Sequence, residues 1–223
     1  RTRGHRLEGI WHAGSPLGGI INLLKGIVIC VPRNMTKAAG FYNTLMKSDD
    51  PALVIECLNG YRIKENAPSN YGEFTTPIGI PEIVKKGNDV TVVSYGSTFN
   101  LCIEASKELE QLNISCELID VQTLIPFDVN KEIVKSLSKT NKIIFIDEDV
   151  PGGATAYMMD QVINKQKGYF HLDSQPVTLS AKDHRPAYGT DGDYFSKPSI
   201  NDIVEAIYAI MSENNPSNFP GII

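Results

Sequence analysis

The sequence predicts a three-layer α/β protein built on a mostly parallel sheet. Short continuous apolar runs, the pattern of buried parallel strands, alternate along the chain with amphipathic segments of helical period. Each helix-sized segment separates two strand-sized runs. This alternation is typical of strand–helix–strand units, whose strands pair in parallel.

The first part of the chain contains one such unit. Its predicted elements are helix 15–24, strand 27–31 (IVICV), helix 36–47 and strand 52–57 (ALVIEC). Thr36 is the expected cap of the second helix, because its hydroxyl can accept from the free amides of a first turn. Gly18 and Gly19 weaken the first helix by about 1 kcal/mol each.

Residues 58–88 are punctuated by glycine, proline and asparagine, which mark turns. We read a linker leading into a small edge strand at 80–84. A long segment without regular structure is unusual inside one compact domain, so it predicts a boundary. The predicted division is a truncated first domain at 1–62, a linker at 63–77, a second domain at 78–213 and a tail at 214–223.

Regular alternation resumes in the second domain. The predicted strands are 90–94, 116–121, 143–147 and 177–180, and the predicted helices are 98–112, 129–137, 155–164 and 200–211. Ser199 directly precedes the last amphipathic run and is its expected cap. No internal repeat interrupts this pattern.

Charge and composition exclude several classes of function. The net charge is −5 and no basic run occurs, so neither nucleic acid nor an anionic membrane surface is an expected partner. The longest apolar run, 27–32, is far short of the roughly 20 residues that span a bilayer. Four cysteines lie beside apolar runs without metal-ligand spacing, which predicts reduced core thiols in a cytoplasmic protein.

Two glycine-containing loops precede predicted helices. In residues 9–16 (GIWHAGSP), His12 could act as an acid, a base or a hydrogen-bond donor, although most loop histidines have no such role. Residues 94–98 (SYGST) join a strand to a helix at the sheet edge where ligands bind in parallel sheets. The spacing matches no nucleotide motif, so a tight turn is the simpler interpretation.

Two further loops are rich in charge. Residues 147–155 (DEDVPGGAT) suggest either a metal or acid–base site, or an acidic turn whose carboxylates favour a helix N-terminus. The acidic turn is the preferred interpretation. Residues 182–195 combine mixed charge with Tyr188, Tyr194 and Phe195, side chains of the kind enriched at protein interfaces.

These segments resemble a known family. Residues 24–32 (LKGIVICVP), 36–41 (TKAAGF), 50–56 (DPALVIE) and Tyr61 resemble the end of the pyrimidine-binding domain in beta subunits of thiamine-diphosphate-dependent 2-oxo acid dehydrogenases. Residues 89–96, 116–128 and 140–148 resemble the carboxy-terminal domain that those subunits share with transketolase. The chain departs from the family in two places: Ala13-Gly14 replaces a Ser-Gln pair after the histidine, and Gln122 replaces an arginine.

The resemblance implies an oxidoreductase that decarboxylates pyruvate or a branched-chain 2-oxo acid, with branched-chain substrates favoured, and acylates a lipoyl domain. His12 would be the active-site residue, with His5 as its rival. The cofactors of the complete enzyme would be thiamine diphosphate and Mg²⁺, held largely by upstream residues and by an alpha half. We therefore expect an upstream segment to be missing, and the isolated chain to bind little cofactor and to be inactive.

The resemblance also implies partners: the alpha half, a second copy of the chain, and the lipoyl acyltransferase core. Residues 188–195 and the last helix are the expected docking surface. Two alternatives remain at this stage. One is a fragment of a transketolase-like enzyme, and the other is a non-catalytic nucleotide-binding module with glycines 96, 152 and 153 beneath phosphates.

Overall fold

The computed structural model describes residues 15–184 and 192–221. Its strands are β1 (Val28–Cys30), β2 (Ala52–Val54), β3 (Glu82–Lys85), β4 (Val90–Ser94), β5 (Cys116–Asp120), β6 (Thr123–Ile125), β7 (Ile143–Ile146) and β8 (Val177–Leu179). Its α-helices are α1 (Leu17–Leu23), α2 (Met35–Leu45), α3 (Gly96–Gln111), α4 (Glu132–Thr140), α5 (Ala154–Met159), α6 (Gly192–Ser196) and α7 (Ile200–Asn214). No helix in these two ranges is long and apolar enough to cross a membrane.

The larger sheet has five strands in the order β3-β5-β4-β7-β8. Strands β5, β4, β7 and β8 run parallel, and β3 pairs antiparallel with β5 at one edge. Successive residues of β4 point to opposite faces, as the strand period requires. Val92 packs with Phe99 and Ile207 under α3 and α7, and Val93 packs with Met158 under α4 and α5. The predicted three-layer, mostly parallel fold is therefore confirmed.

The smaller sheet has the order β2-β1-β6. Strands β1 and β2 are parallel and connected through α2, as the sequence predicted. Strand β6 pairs antiparallel with β1, although it lies in the second predicted domain. The domain boundary at residues 63–77 stays a prediction. Main-chain hydrogen bonds between β1 and β6 connect the two sides of this boundary.

The predicted linker is closely packed on α2. Residues 63–77 contain no helix or strand, but Thr76 N–H donates to the Gly40 carbonyl at 3.1 Å. Thr44 Oγ1 lies 2.7 Å from the Thr76 carbonyl, and a Cβ on Gly40 would lie 2.2 Å from Thr76 Oγ1. The absence of a side chain at position 40 is what lets this segment approach the helix.

Two helix starts differ from the prediction. Asn34, not Thr36, caps α2: its Oδ1 accepts from Lys37 N–H at 2.9 Å. Helix α4 begins at Glu132 rather than near residue 129, because the Asp128 carboxylate accepts from the amides of Glu132 and Ile133 at 2.8 and 3.0 Å. A carboxylate that accepts from the amides of the first turn stabilises a helix start at that position.

The last helix begins as predicted. Ser199 Oγ accepts from Asp202 N–H, and Ser199 N–H donates to Asp202 Oδ2, which together form a capping box. The helix predicted at 155–164 is observed as α5 followed by a π-helical segment at Asp160–Lys165. Three short elements were not predicted: β6, a 3-10 helix at Gly168–His171, and α6. A 3-10 helix at Leu58–Arg62 was not predicted either.

Candidate functional site

A cluster of buried polar and acidic side chains lies where β4 and β7 end. Strand β4 is flanked by β5 on one side and β7 on the other, so the chain order reverses at this point. In parallel sheets such a switch point opens a crevice at the carboxyl ends of the strands. Two of the predicted motifs, residues 94–98 and 147–155, meet here: Ser97 Oγ lies 3.4 Å from Glu148 Oε2.

Asp147 lies at the centre of this region and is fully buried. Its Oδ2 accepts from the Tyr95 hydroxyl and from Thr155 N–H, both at 3.0 Å, and its Oδ1 accepts from Asp149 N–H at 3.1 Å. Burial raises the pKa of Asp147 to about 8, and the neighbouring Asp149 carboxylate adds to the rise. The group is therefore mostly neutral at pH 7.

Asp149 links two helices. Its Oδ2 accepts from Gly18 N–H in α1 at 2.8 Å and from Ala154 N–H in α5 at 3.4 Å. Its Oδ1 accepts from Val150 N–H at 2.9 Å. The carboxylate is almost completely shielded from solvent, with 1% of the residue exposed. Its acceptor capacity is used by backbone amides.

Glu148 is also buried and faces the start of α3 and the segment after α6. The Lys197 ammonium lies 3.9 Å from its Oε2, the oxygen that Ser97 also approaches. All three carboxylates of the turn are thus engaged by protein donors. Across the described ranges, no group of three histidine, cysteine or acidic side chains is arranged to hold a metal ion. The acidic-turn interpretation is the one the geometry supports.

A second charged cluster joins the two sheets, and sequence reasoning missed it. The Arg33 guanidinium, just after β1, donates to Asp120 Oδ2 at 2.6 Å and to Glu82 Oε2 at 2.5 Å. The Lys37 ammonium lies 2.9 Å from the same Glu82 oxygen. Burial raises the pKa of Asp120 to about 6, against the lowering effect of Arg33.

Gln122 lies close to the same cluster, and its N–H donates to Asp120 Oδ1 at 3.2 Å. This buried residue stands where the resembled family has an arginine, and its Nε2 donates to the Ile80 carbonyl at 3.1 Å. Arg33 brings a guanidinium to Asp120 from the other sheet. No signal in the sequence indicated this contact, because Arg33 and Asp120 are 87 positions apart.

A cavity of 530 Å³ lies beside this cluster, between the segments that follow β1 and β2 and the first turns of α3. It is lined by Arg33, Asn34, Cys57, Gly60, Ile63, Glu65, Ser97, Thr98, Asn100, Leu101, Glu104 and Lys197. Two cations and two carboxylates balance one another along its wall. Such a lining does not favour the multiply charged phosphates of a nucleotide.

Comparison with known proteins decides the family. The family described as "Transketolase, C-terminal domain" matches residues 79–196, more than half of the chain. This chain belongs to the transketolase C-terminal domain family. The fold agrees: a split-gene transketolase, described as an inactive beta4 tetramer, superposes with a TM-score of 0.73 at 17% identity, over 95% of this chain and 65% of that one.

Curated relatives of this transketolase C-terminal chain are beta subunits. The acetoin:2,6-dichlorophenolindophenol oxidoreductase subunit beta of Bacillus subtilis is 32% identical over 76% of this chain and 48% of its own length. The mitochondrial 2-oxoisovalerate dehydrogenase subunit beta of Chaetomium thermophilum is 35% identical over 77% and 36%. The pyruvate dehydrogenase E1 component subunit beta of Acholeplasma laidlawii is 30% identical over 81% and 54%. The chain spans about half the length of the curated relatives it matches.

The predicted active-site residues of this transketolase C-terminal chain, His12 and His5, lie outside the described residues, as do Tyr188 and its neighbours at 185–191. The rest of the predicted docking loop is described. Tyr194 and Phe195 are more than half exposed, and the Lys182 ammonium lies 4.1 Å from the centre of the Phe195 ring. Their role at an interface stays a prediction.

The four cysteines are buried free thiols, as predicted. Burial raises the pKa of Cys30, Cys102 and Cys116 to about 12. Thiols held in the protonated form are poor nucleophiles and poor metal ligands. They serve the packed core of this transketolase C-terminal chain.

Proposed function

We propose that the chain is the carboxy-terminal part of the beta half of a thiamine-diphosphate-dependent 2-oxo acid dehydrogenase. The complete enzyme would decarboxylate pyruvate or a branched-chain 2-oxo acid and acylate a lipoyl domain. One observation carries the proposal: beta subunits named for pyruvate and for 2-oxoisovalerate match 71–81% of the chain at 29–30% identity. The confirmed fold supports the same assignment.

The contribution of this chain to the reaction would be a single imidazole. His12 lies six positions before Gly18 in α1, and an imidazole can donate a proton or a hydrogen bond near pH 7. His5 is the alternative residue. The described residues do not fit a magnesium diphosphate, because the carboxylates of the acidic turn are taken up by backbone amides, Tyr95 and Lys197. The alpha half and upstream residues would hold the cofactor.

Acetoin is a second candidate substrate. The Bacillus subtilis relative that is named for it is 32% identical to this chain. The chain contains no recognised substrate pocket among its described residues that would separate acetoin from a 2-oxo acid. Acetoin and the 2-oxo acids should therefore be tested as substrates in the same assay.

The nucleotide-binding alternative is disfavoured by the geometry. It required phosphates above Gly96, at the start of α3, and above the glycines at 152 and 153, at the start of α5. The hydrogen bonds at the second of these positions argue against phosphate binding there. Thr155 N–H and Ala154 N–H are instead directed at the carboxylates of Asp147 and Asp149. A phosphate there would have to displace two buried carboxyl groups that already accept these amides. A transketolase-like enzyme would require upstream residues that bind a sugar.

The partners would be an alpha half, a second copy of the chain and a lipoyl acyltransferase core, in the cytoplasm. Exposed Tyr194 and Phe195, near the start of α7, support an interface on that side of the molecule. Light scattering checks the self-association: a monomer at high protein concentration would contradict it.

The test is reconstitution. The full-length protein that carries this sequence is co-purified with its alpha half, and reduction of 2,6-dichlorophenolindophenol is measured with pyruvate, 2-oxoisovalerate and acetoin. We expect cofactor-dependent turnover of a 2-oxo acid that His12→Ala reduces at least 100-fold and His5→Ala does not. Absence of turnover with every 2-oxo acid would end the proposal, and turnover of acetoin alone would select the second candidate.

A further inference from the structure

The first turn of α3 begins without a cap. Tyr95 occupies the N-cap position but makes no side-chain hydrogen bond to the turn, and the turn contains no acidic residue. The first amides of a helix have no acceptor within the helix and carry a partial positive charge. In the part of the chain that the structure describes, no side chain accepts from the amides of Ser97 and Thr98.

The same turn forms part of the wall of the 530 Å³ cavity, and Thr98 lines it. Only 3% of Thr98 is exposed, yet no residue in the described ranges forms a hydrogen bond with its hydroxyl. Buried hydroxyl groups usually have a partner, because leaving one unpaired is costly. A buried hydroxyl on a cavity wall, next to two free amides, suits an acceptor that comes from outside the chain.

Arg33 adds further donors to this end of the cavity. Its guanidinium lies 5.7 Å from the centre of the Phe99 ring, which places it against the first turn of α3. Its hydrogen bonds to Asp120 and Glu82 both use Nη1. A guanidinium has five N–H donors in a fixed planar arrangement, so Nε and Nη2 can donate to another acceptor in the cavity.

The charges around the cavity favour a ligand with a single negative charge. The Lys197 ammonium lies 3.9 Å from Glu148 Oε2, so its charge is partly balanced. Glu65 and Glu104 line the cavity and would repel a second negative charge. The end of a helix carries about half a unit of positive charge, which one carboxylate can match and a doubly charged phosphate exceeds.

The remaining wall of the cavity includes apolar side chains. Leu101 lies one turn further along α3, and Cys57 and Ile63 belong to the segment that follows β2. Ile63 is 60% exposed, so a ligand that covers it would remove apolar surface from water. The cavity has the size of typical small-molecule sites, and its polar and apolar walls suit a molecule with one charged and one apolar end.

We propose that this cavity binds a small monocarboxylate with a short apolar side chain. The carboxylate accepts from the Thr98 hydroxyl, the free amides of the first turn of α3 and the Arg33 guanidinium. The apolar end covers Ile63 and Leu101. Binding of this kind requires no reaction, so the inference stands independently of the proposed function.

Four probes test the charge and the apolar end of the ligand, each titrated into the isotope-labelled full chain and followed by NMR. Isovalerate has both features, isovaleramide lacks the charge, acetate lacks the apolar end, and inorganic phosphate carries more charge. We expect isovalerate to shift the amide signals of Ser97, Thr98 and Leu101 with a Kd of about 1 mM or below. The other three probes should bind at least about tenfold more weakly.

Two outcomes of this titration would overturn the proposal. Isovaleramide or phosphate binding as tightly as isovalerate would refute the ligand class. Unchanged signals of Ser97 and Thr98 at about 50 mM isovalerate, far above the expected Kd, would refute the site.

Thr98→Val tests the hydroxyl, because valine keeps the shape of the buried side chain. The substitution should weaken isovalerate binding about tenfold, since it removes a hydrogen bond to a charged group. Thr155→Val is the matched control: Thr155 is also a buried threonine in the first turn of a helix, α5, but it does not line the cavity. Its Kd should equal that of the wild type. An unchanged Kd in Thr98→Val would contradict the proposal.

Ile63→Ala tests the apolar end and keeps the proposal testable if Thr98→Val does not fold. Because Ile63 is exposed, the variant should fold, bind isovalerate about fivefold more weakly and leave the weaker binding of acetate unchanged. Met46→Ala is the control, since Met46 is 85% exposed and lies outside the cavity. Isovalerate binding that is equal in the two variants would overturn the proposal.

Discussion

The Tyr95 hydroxyl donates a hydrogen bond of 3.0 Å to Asp147 Oδ2, and both side chains are buried where adjacent parallel strands end. The bond crosses from the turn before α3 to the turn before α5. It ties together the two loops that flank the switch point of the sheet.

Tyr95→Phe should therefore lower the free energy of unfolding by about 1–2 kcal/mol, because Asp147 loses one buried donor while the ring packing is kept. Urea denaturation monitored by circular dichroism measures the change. Tyr169→Phe is the control, since Tyr169 is 68% exposed, and its effect should stay within about 0.5 kcal/mol. Equal effects of the two substitutions would show that the bond to Asp147 contributes nothing.

Asp147 should make stability depend on pH. Burial raises its pKa from 3.8 to about 8, so the folded chain holds a proton that the unfolded chain releases. This group therefore stabilises the fold fully below pH 4, and that contribution is lost as pH rises through about 8, with a slope of up to about 1.4 kcal/mol per unit.

Asp147→Asn tests this dependence, because an amide cannot titrate. The unfolding free energy of wild type minus variant should fall steadily between pH 5 and pH 8 when both are measured by urea denaturation. Asp160→Asn, on an exposed side chain, is the control. A difference between wild type and Asp147→Asn that is flat across this range would contradict a raised pKa.

Arg33→Met should destabilise the chain by about 3–5 kcal/mol, because it leaves the buried Asp120 carboxylate without its cation. The Arg33 guanidinium also lies 5.7 Å from the Phe99 ring centre, a contact that the variant loses. Lys37→Met removes a cation from the more exposed Glu82 and should cost less than about 1 kcal/mol. Urea denaturation measures both losses of unfolding free energy. Equal losses in Arg33→Met and Lys37→Met would contradict the prediction.

Ser199→Ala should cost about 1 kcal/mol, because it removes the hydroxyl half of the capping box at the start of α7. Thermal denaturation of the variant measures the loss. Ser138→Ala provides a comparison within an exposed part of α4, where alanine is the better helix former. A destabilisation at position 138 as large as that at 199 would argue against a specific cap.

The isolated chain should bind thiamine diphosphate with Mg²⁺ only weakly, with no heat of binding at micromolar concentrations in a calorimetric titration. The physical reason is that the buried carboxylates already accept hydrogen bonds from protein donors, and a metal would have to displace those donors. Micromolar binding would refute this expectation and would require ligands among residues 1–14 or 185–191.

Local patterns predicted the elements whose signals are local. The run after Ser199 combined a cap with helical periodicity, and α7 begins there. Strand β6 has three residues and follows Gln122, whose left-handed φ of 61° is not marked by a glycine in the sequence. Nothing in a window of the sequence distinguishes such a strand from a loop.

The contacts that build the site could not be predicted for a related reason. Asp149 and Gly18 are 131 positions apart, and Arg33 and Asp120 are 87 apart. The residues that flank each member in the sequence do not indicate which distant residue it will contact. The acidic composition of residues 147–149 did predict a helix-capping turn, but it could only suggest α5 as the recipient, because α1 arrives through tertiary packing.

The pairing of β6 with β1 has a consequence for synthesis. During translation β1 leaves the ribosome more than ninety positions before β6 does. Throughout that interval one edge of β1 exposes unpaired main-chain groups beside an apolar surface, a condition that promotes misassociation of nascent chains. Late completion of this small sheet would make the first part of the polypeptide dependent on the second for productive maturation in the cell.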